Sequence, residues 1–119
     1  MARSHDLAWA AGVFEGEGCI CCYKIPNRKD SRRVMLAITM SDEDIVQRIY
    51  EIFKVGSFKG PYKKKDKKTL WTWAVQNMAG CHSVLTEIYP YLGKRRKEKA
   101  DEMIKEIENR PKWKALTDV

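Results

Sequence analysis

No apolar stretch in this 119-residue chain approaches the roughly 20 residues that a membrane-spanning helix needs. The opening Met-Ala-Arg-Ser-His-Asp also lacks a signal-peptide pattern, because glycines and glutamates interrupt the apolar residues that follow. The chain is therefore expected to stay in the compartment of its synthesis, the cytoplasm of a bacterium or phage-infected cell or an organelle, and not to be secreted. Cysteine is scarce and irregularly spaced. Cys19, Cys21 and Cys22 cluster while Cys81 stands far away, which leaves neither a CxxC zinc knuckle nor a disulfide framework and makes reduced, partly buried thiols the expected state. Only two histidines occur, His5 and His82; none of the cysteines reads as a persuasive nucleophile, and both histidines read as incidental. Internal repeats and low-complexity linkers are absent as well. What remains is one domain of ordinary size, residues 1–110, with a tail over 111–119.

Charge is present in excess and unevenly. The net +7 conceals three basic stretches, 24–33, 59–68 and 94–99, which hold 16 of the 23 basic residues and three of the 16 acids. Their local charge is +13, so the rest of the chain sums to −6. Segregation of that degree implies a positive face and a polyanionic partner.

The stretch Leu7-Ala-Trp-Ala-Ala-Gly-Val-Phe-Glu-Gly-Glu-Gly-Cys19 organises the rest. Small residues at Ala8, Ala11, Gly12 and Gly16 strip one side of a helix of bulk, so a second backbone could approach it closely. Leu7, Trp9, Val13 and Phe14 would root the helix in a core, Asp6 would cap it, and Gly16 and Gly18 would end it. Glu15 and Glu17 then fall at the negative, C-terminal end, where the helix dipole disfavours them. Either a divalent cation supplies the missing positive charge, or the two acids are simply solvated in the loop between helix and strand. Were the smooth side to meet a second copy, two such acids would face each other across a two-fold axis, and a two-metal site would follow.

After Gly18, residues 19–25 have strand composition and 33–39 their partner, a hairpin with a charged tip. Ser41 or Asp42 caps a helix from Glu43 to Lys54, with Ile45, Ile49, Ile52 and Phe53 at helical spacing, closed by Val55-Gly56. A second hairpin pairs residues 56–61 with 69–77 across a lysine-rich loop. There Trp71, Trp73 and Val75 alternate with Thr72, Ala74 and Gln76, which suits a sheet packed behind and open in front. A helix runs from Met78 or Ala79 to Tyr89, stopped by Pro90, and a last one from Gly93 to Asn109 with Ala100, Met103, Ile104 and Ile107 inward.

Residues Ala10 to Gly18, read as Ala-Ala-Gly-Val-Phe-Glu-Gly-Glu-Gly, resemble the signature of the LAGLIDADG homing endonucleases, with Glu at both acidic positions in place of the commoner Asp. The order of elements from Leu7 to Ile107 is similar too. The resemblance implies an α+β fold: an αββαββα core whose four-stranded antiparallel sheet forms a DNA-binding saddle, plus a C-terminal helix. A single motif implies the homodimeric type, with Ala8, Ala11, Gly12 and Glu15 at the interface and a pseudo-palindromic double-stranded DNA site. The implied activity is Mg²⁺-dependent cleavage of both strands across the minor groove. Mn²⁺ would substitute, Ca²⁺ would bind without cleavage, and no small-molecule cofactor or membrane is involved.

The resemblance also assigns roles. Glu17 and the Gly16 carbonyl would hold the metal, and Glu15 matches the first, more structural acid. Arg96, with Lys97 and Arg95 as neighbours, would stabilise charge on the phosphate. The extra methylene of Glu17 lengthens the metal arm, and Met40 cannot order solvent where a polar residue is usual, so Thr39 or Ser41 would have to. On the open sheet face, Cys21, Tyr23, Arg33, Met35, Ala37, Lys59, Thr72, Ala74 and Gln76 are candidates for base contact, Arg33 toward guanine and Gln76 toward adenine. Arg28, Lys29, Arg32, Lys63 and Lys64 belong to hairpin tips and would grip phosphates. The main alternative is a non-cleaving binder of the same fold, an RNA maturase or a DNA-binding regulator; a more remote one is a basic structural protein without site specificity.

Overall fold

The computed structural model describes residues 2–24, 32–63 and 65–117. In chain order these form α1 (Ala2–Glu17), β1 (Gly18–Lys24), β2 (Arg32–Met40), α2 (Glu43–Phe53), β3 (Ser57–Tyr62), β4 (Leu70–Val75), α3 (Met78–Ile88), a 3-10 turn at Tyr89–Tyr91, α4 (Lys94–Glu108) and α5 (Pro111–Thr117). The strands make one antiparallel sheet in the order β1-β2-β4-β3. Both hairpins therefore place their second strand at the centre and their first at an edge. The architecture is α+β with the expected αββαββα order. No described helix is long and apolar enough to cross a membrane.

Alternation decides which way the sheet faces. In β2, Val34, Leu36 and Ile38 are fully or almost fully buried while Arg33 and Thr39 are exposed, and in β4 Trp73 and Val75 are buried beside exposed or half-buried neighbours. All four long helices pack on this apolar side. Trp73 ties the layers together: its ring meets Phe14 of α1 edge-on at 5.9 Å and stacks on Phe53 of α2 at 5.7 Å, and its indole N–H donates to the Val55 carbonyl at 2.9 Å. Burying a ring of that size also satisfies its one polar atom. Among the described residues no polar or charged side chain is buried.

Several boundaries differ from the sequence reading, each for a local reason. Helix α1 begins at Ala2, so Asp6 lies inside it and does not cap it; its carboxylate instead pairs with Arg48 of α2 at 3.5 Å, and that guanidinium covers the Trp9 ring at 3.9 Å. At α2 neither Ser41 nor Asp42 caps through its side chain, and Lys54, at φ 56°, ends the helix in the left-handed region expected of a glycine. Val46, not Ile45, joins Ile49 and Phe53 in the core. Helix α3 is capped by Asn77, whose side-chain oxygen accepts from the Gly80 N–H at 2.6 Å. The tail is helical over Pro111–Thr117, and its Trp113 ring lies 4.4 Å from that of His82, whose Nε2 is 2.9 Å from a Glu108 carboxylate oxygen. His82 is thus a structural joint between α3, α4 and α5, not an incidental residue.

Edge strand β3 carries an irregularity between Lys59 and Tyr62, with a cis Gly60-Pro61 peptide and Gly60 at φ 141°. Any side chain at residue 60 would strike the Trp71 ring. The irregularity lets Lys59 and Tyr62, three residues apart, face the same way, and proline on the edge leaves one fewer donor for a foreign strand.

Candidate active site and nucleic-acid interface

Two helix ends meet at the start of the sheet. Helix α1 passes into β1 with no intervening loop, because Gly18 lies so close under Phe14 that a side chain there would collide with that residue's ring and carbonyl. The last turn of α1 is brought against the first turn of α4. The Gly93 N–H, at the N-terminus of α4, donates to Glu15 Oε1 at 3.0 Å, and Arg96 Nη2 donates to the Glu15 carbonyl oxygen at 3.4 Å.

Each helix by itself carries its charges against its dipole: acids at the negative end of α1, and Lys94, Arg95, Arg96 and Lys97 at the positive end of α4. Abutting the ends reverses the sign of both effects. The Glu15 carboxylate lies where α4 presents unpaired N–H groups, and Arg96 lies where α1 presents unpaired carbonyls.

One acid is left over. Glu17 is exposed and, among the described residues, forms no hydrogen bond or ion pair. Lys94 and Arg95 are likewise exposed and unpaired, while the Lys97 ammonium lies over the Tyr89 ring at 5.4 Å. Glu15, assigned above to a subunit interface, makes its contact within the chain, to α4.

The smooth side of α1 is narrower than the sequence suggests. Ala8, Gly12 and Gly16 are exposed and the two glycines have open space where a side chain would begin, but Ala11 is completely buried. The reason is angular. Steps of four residues drift only about 40° around a helix, whereas Ala11 falls about 60° to the other side of Ala8 and turns into the core. Ala11 is therefore withdrawn from the interface set.

The second feature is the open face of the sheet, whose rows follow from the strand register. Tyr23 lies opposite Arg33, and Cys21 opposite Met35, which accepts a weak bond from the Gln76 amide at 3.7 Å. The next row is Cys19, Ala37, Ala74 and Ser57; then come Thr39, Thr72 and Lys59, the two threonine hydroxyls 3.0 Å apart; last, Leu70 lies opposite Tyr62. All nine residues proposed for base contact share this face. Cys19, Ser57, Tyr62 and Leu70 belong to it too and were missed, although the two-residue strand period already pointed to Cys19 and Ser57. Met40 lies on the opposite parity and packs against the core, leaving Thr39 and Ser41 exposed.

Arg32 does not share the open face. It has the parity of Val34 and Leu36, and its guanidinium lies 3.8 Å from both Glu102 and Glu106 of α4, while Arg110 donates to its carbonyl. Two carboxylates already occupy it, so it braces the first hairpin against α4 and is corrected from phosphate contact to scaffold. Lys63 is exposed beyond β3; Arg28, Lys29 and Lys64 lie outside the described residues.

The thiols divide between the faces. Cys19 Sγ and Cys21 Sγ are 2.9 Å apart on the open side, and this bond pushes the Cys21 thiol up to about 11. Cys81 is fully buried, donates to the Val75 carbonyl at 3.4 Å, and is pushed up to about 11 by loss of water.

No protein-family model and no curated protein matches the sequence. Solved structures do. The homing endonuclease I-CvuI in complex with its target in the presence of 2 mM Ca superposes with a TM-score of 0.75 at 20% identity, over 90% of this chain and 68% of that one. The group I intron-encoded homing endonuclease I-CeuI, complexed with DNA, gives 0.65 at 15% identity over 98% and 68%. The LAGLIDADG homing endonuclease I-GzeII, in complex with a DNA target, gives 0.66 at 15% identity over 92% of this chain and 40% of that one. The chain has the LAGLIDADG homing-endonuclease fold.

Proposed function

We propose that this chain is a sequence-specific, divalent-metal-dependent DNA endonuclease that acts as a homodimer on a long, nearly palindromic site. The observation that carries the reading is the junction of α1 and α4, where an unpartnered Glu17 carboxylate shares the last turn of α1 with the carbonyl that Arg96 holds.

The donors present fit a hard divalent cation. Glu17 offers a free carboxylate and Gly16 a carbonyl at the helix end, both oxygen ligands, and Mg²⁺ typically takes only one or two carboxylates and completes its shell with water and phosphate. Among the described residues no group of three or more ligands exists within one chain. That shortage suits a site shared with DNA and a second copy. When bound, the cation supplies charge relief on the phosphate and activation of water. The chain's own residues do the rest: Glu15 pins the first turn of α4, which holds Arg96 beside the acids, where its guanidinium can meet a phosphate oxygen. Lys97 would have to leave Tyr89 to join it. The exposed Ala8-Gly12-Gly16 strip supports close approach of a second α1, which would bring the two Glu17 carboxylates toward one axis.

Recognition is assigned to the open face. Arg33, Gln76 and Lys59 can make directional contacts to base edges, whereas the middle row of Cys, Ala, Ala and Ser is too short to reach far and leaves room for water.

The test is selection of cleaved molecules from a randomised duplex pool, with Mg²⁺ or Ca²⁺, using wild type and Glu17→Gln. A near-palindromic site cut by wild type in Mg²⁺ alone is the expected result. A site enriched by binding but never cut would replace the nuclease by a DNA-binding regulator, and enrichment of nothing would move the search to RNA.

A further inference from the structure

The nuclease reading gives the thiols of β1 no chemistry of their own. Their placement is specific. Cys19 and Cys21 sit two residues apart on one side of a strand, with Sγ atoms 2.9 Å apart, Cys19 exposed and Cys21 half-buried. Cys22 has the opposite parity and lies beside Arg32 on the helix-covered side, and Cys81 is buried in the core, so neither competes for a partner. β1 is also an edge strand, laddered to β2 alone.

That last fact matters for geometry. Alternate residues of an extended strand are about 6.6–6.8 Å apart at Cα, at the far limit of the about 4.4–6.8 Å that disulfides span. Closure needs the strand to contract by about 1 Å toward the commonest disulfide spacing. A central strand held on both sides would resist; an edge strand can pucker. Cys19 begins the row Cys19, Ala37, Ala74 and Ser57 and Cys21 lies opposite Met35, so contraction displaces the ends of two neighbouring rows and moves Tyr23 relative to Arg33.

We propose that Cys19 and Cys21 form a dithiol modification site that small-molecule disulfides close into an intrastrand disulfide, weakening DNA binding at the open face. The effect on DNA rests on the functional reading above; the site itself does not. The chemistry balances as two exchanges. One cysteine thiolate attacks a sulfur of the small disulfide, forming a protein mixed disulfide and expelling one thiolate, which takes up the proton released. The second cysteine then attacks the protein sulfur, forms the Cys19–Cys21 bond and expels the second small thiol. The protein dithiol loses two electrons and two protons, and the small disulfide becomes two thiols.

The experiment treats the full chain with oxidised glutathione, unfolds it in denaturant, alkylates the remaining thiols and maps them by peptide mass spectrometry. Cys22 and Cys81 should be alkylated, Cys19 and Cys21 joined, and dithiothreitol should reopen them. Alkylation of both Cys19 and Cys21, or pairing of either with Cys22, overturns the site. The dissociation constant for a duplex recovered by the selection above is then measured at fixed salt. It should rise several-fold on oxidation and return on reduction, while in Cys19→Ser/Cys21→Ser it should not respond to oxidant. Linkage without any change in affinity overturns the control of binding. Should the reduced chain bind no duplex, the nuclease reading fails and the thiol map still decides whether the dithiol site exists.

Discussion

Trp73 and Thr72 are neighbours in β4, yet they belong to two surfaces built by opposite rules. On Trp73's side, Val34, Leu36, Ile38 and Val75 meet helices and exclude water, and every buried side chain among the described residues is apolar. On Thr72's side the sheet shows threonine, alanine, cysteine, glutamine, lysine and arginine, and no described helix covers it. The acids at the end of α1 repeat the contrast over two residues: the Glu15 carboxylate is bonded to Gly93, whereas Glu17 has no partner among the described residues. A side chain consumed by the fold is evidence about stability; one that the fold leaves alone, in a place where it costs something, is evidence about a ligand.

The contrast breaks most visibly at Trp73. Trp73→Ala should lose about 3–5 kcal/mol of unfolding free energy in urea or guanidinium titrations, since it removes the ring that joins α1, α2 and the sheet. Cys81 gives the next effect. Its folded pKa is raised from 9.0 to about 11, so its contribution is intact below pH 9 and is lost as pH rises toward 11, where the unfolded thiol ionises first. The stability difference between wild type and Cys81→Ala should therefore shift against wild type by no more than about 1.4 kcal/mol per pH unit across that interval. Glu15→Ala should cost about 1 kcal/mol, in line with loss of a helix cap, with Glu15→Gln recovering part of it, while Glu17→Gln leaves the unfolding transition in place and removes cleavage. Equal costs at both acids would erase the distinction drawn between them.

Smaller effects test the open surfaces. Gly12 has free space around it, so in a monomer Gly12→Ala should stabilise α1 by up to about 1 kcal/mol. If a second α1 packs there, Gly12→Leu should instead shift sedimentation from dimer to monomer. Thr72→Ala should fall within about 0.5 kcal/mol of wild type in stability and show itself only as an altered base preference in the selected DNA pool.

Much of this was legible in the residues. The two-residue period of β2 and β4 named both faces, the apolar stripe of α4 named Ala100, Met103 and Ile107, and the Glu-Gly-Glu-Gly segment located the end of α1. What escaped was long-range. Nothing local announces that Arg32 is held by Glu102 and Glu106, some 70 residues away, that Ala11 turns inward while Gly12 turns out, or that His82 joins Glu108 and Trp113.

Periodicity and composition act over a few residues, and they suffice for the order of elements, the apolar side of the sheet and the clustering of charge. Which charges are spent is a matter of packing. Acids at one helix end and bases at another are each unfavourable alone, and their use depends on the chain bringing Glu15 to Gly93 and Arg96 across about 80 positions. That encounter is set by how α1 and α4 pack on the sheet, which no local pattern encodes.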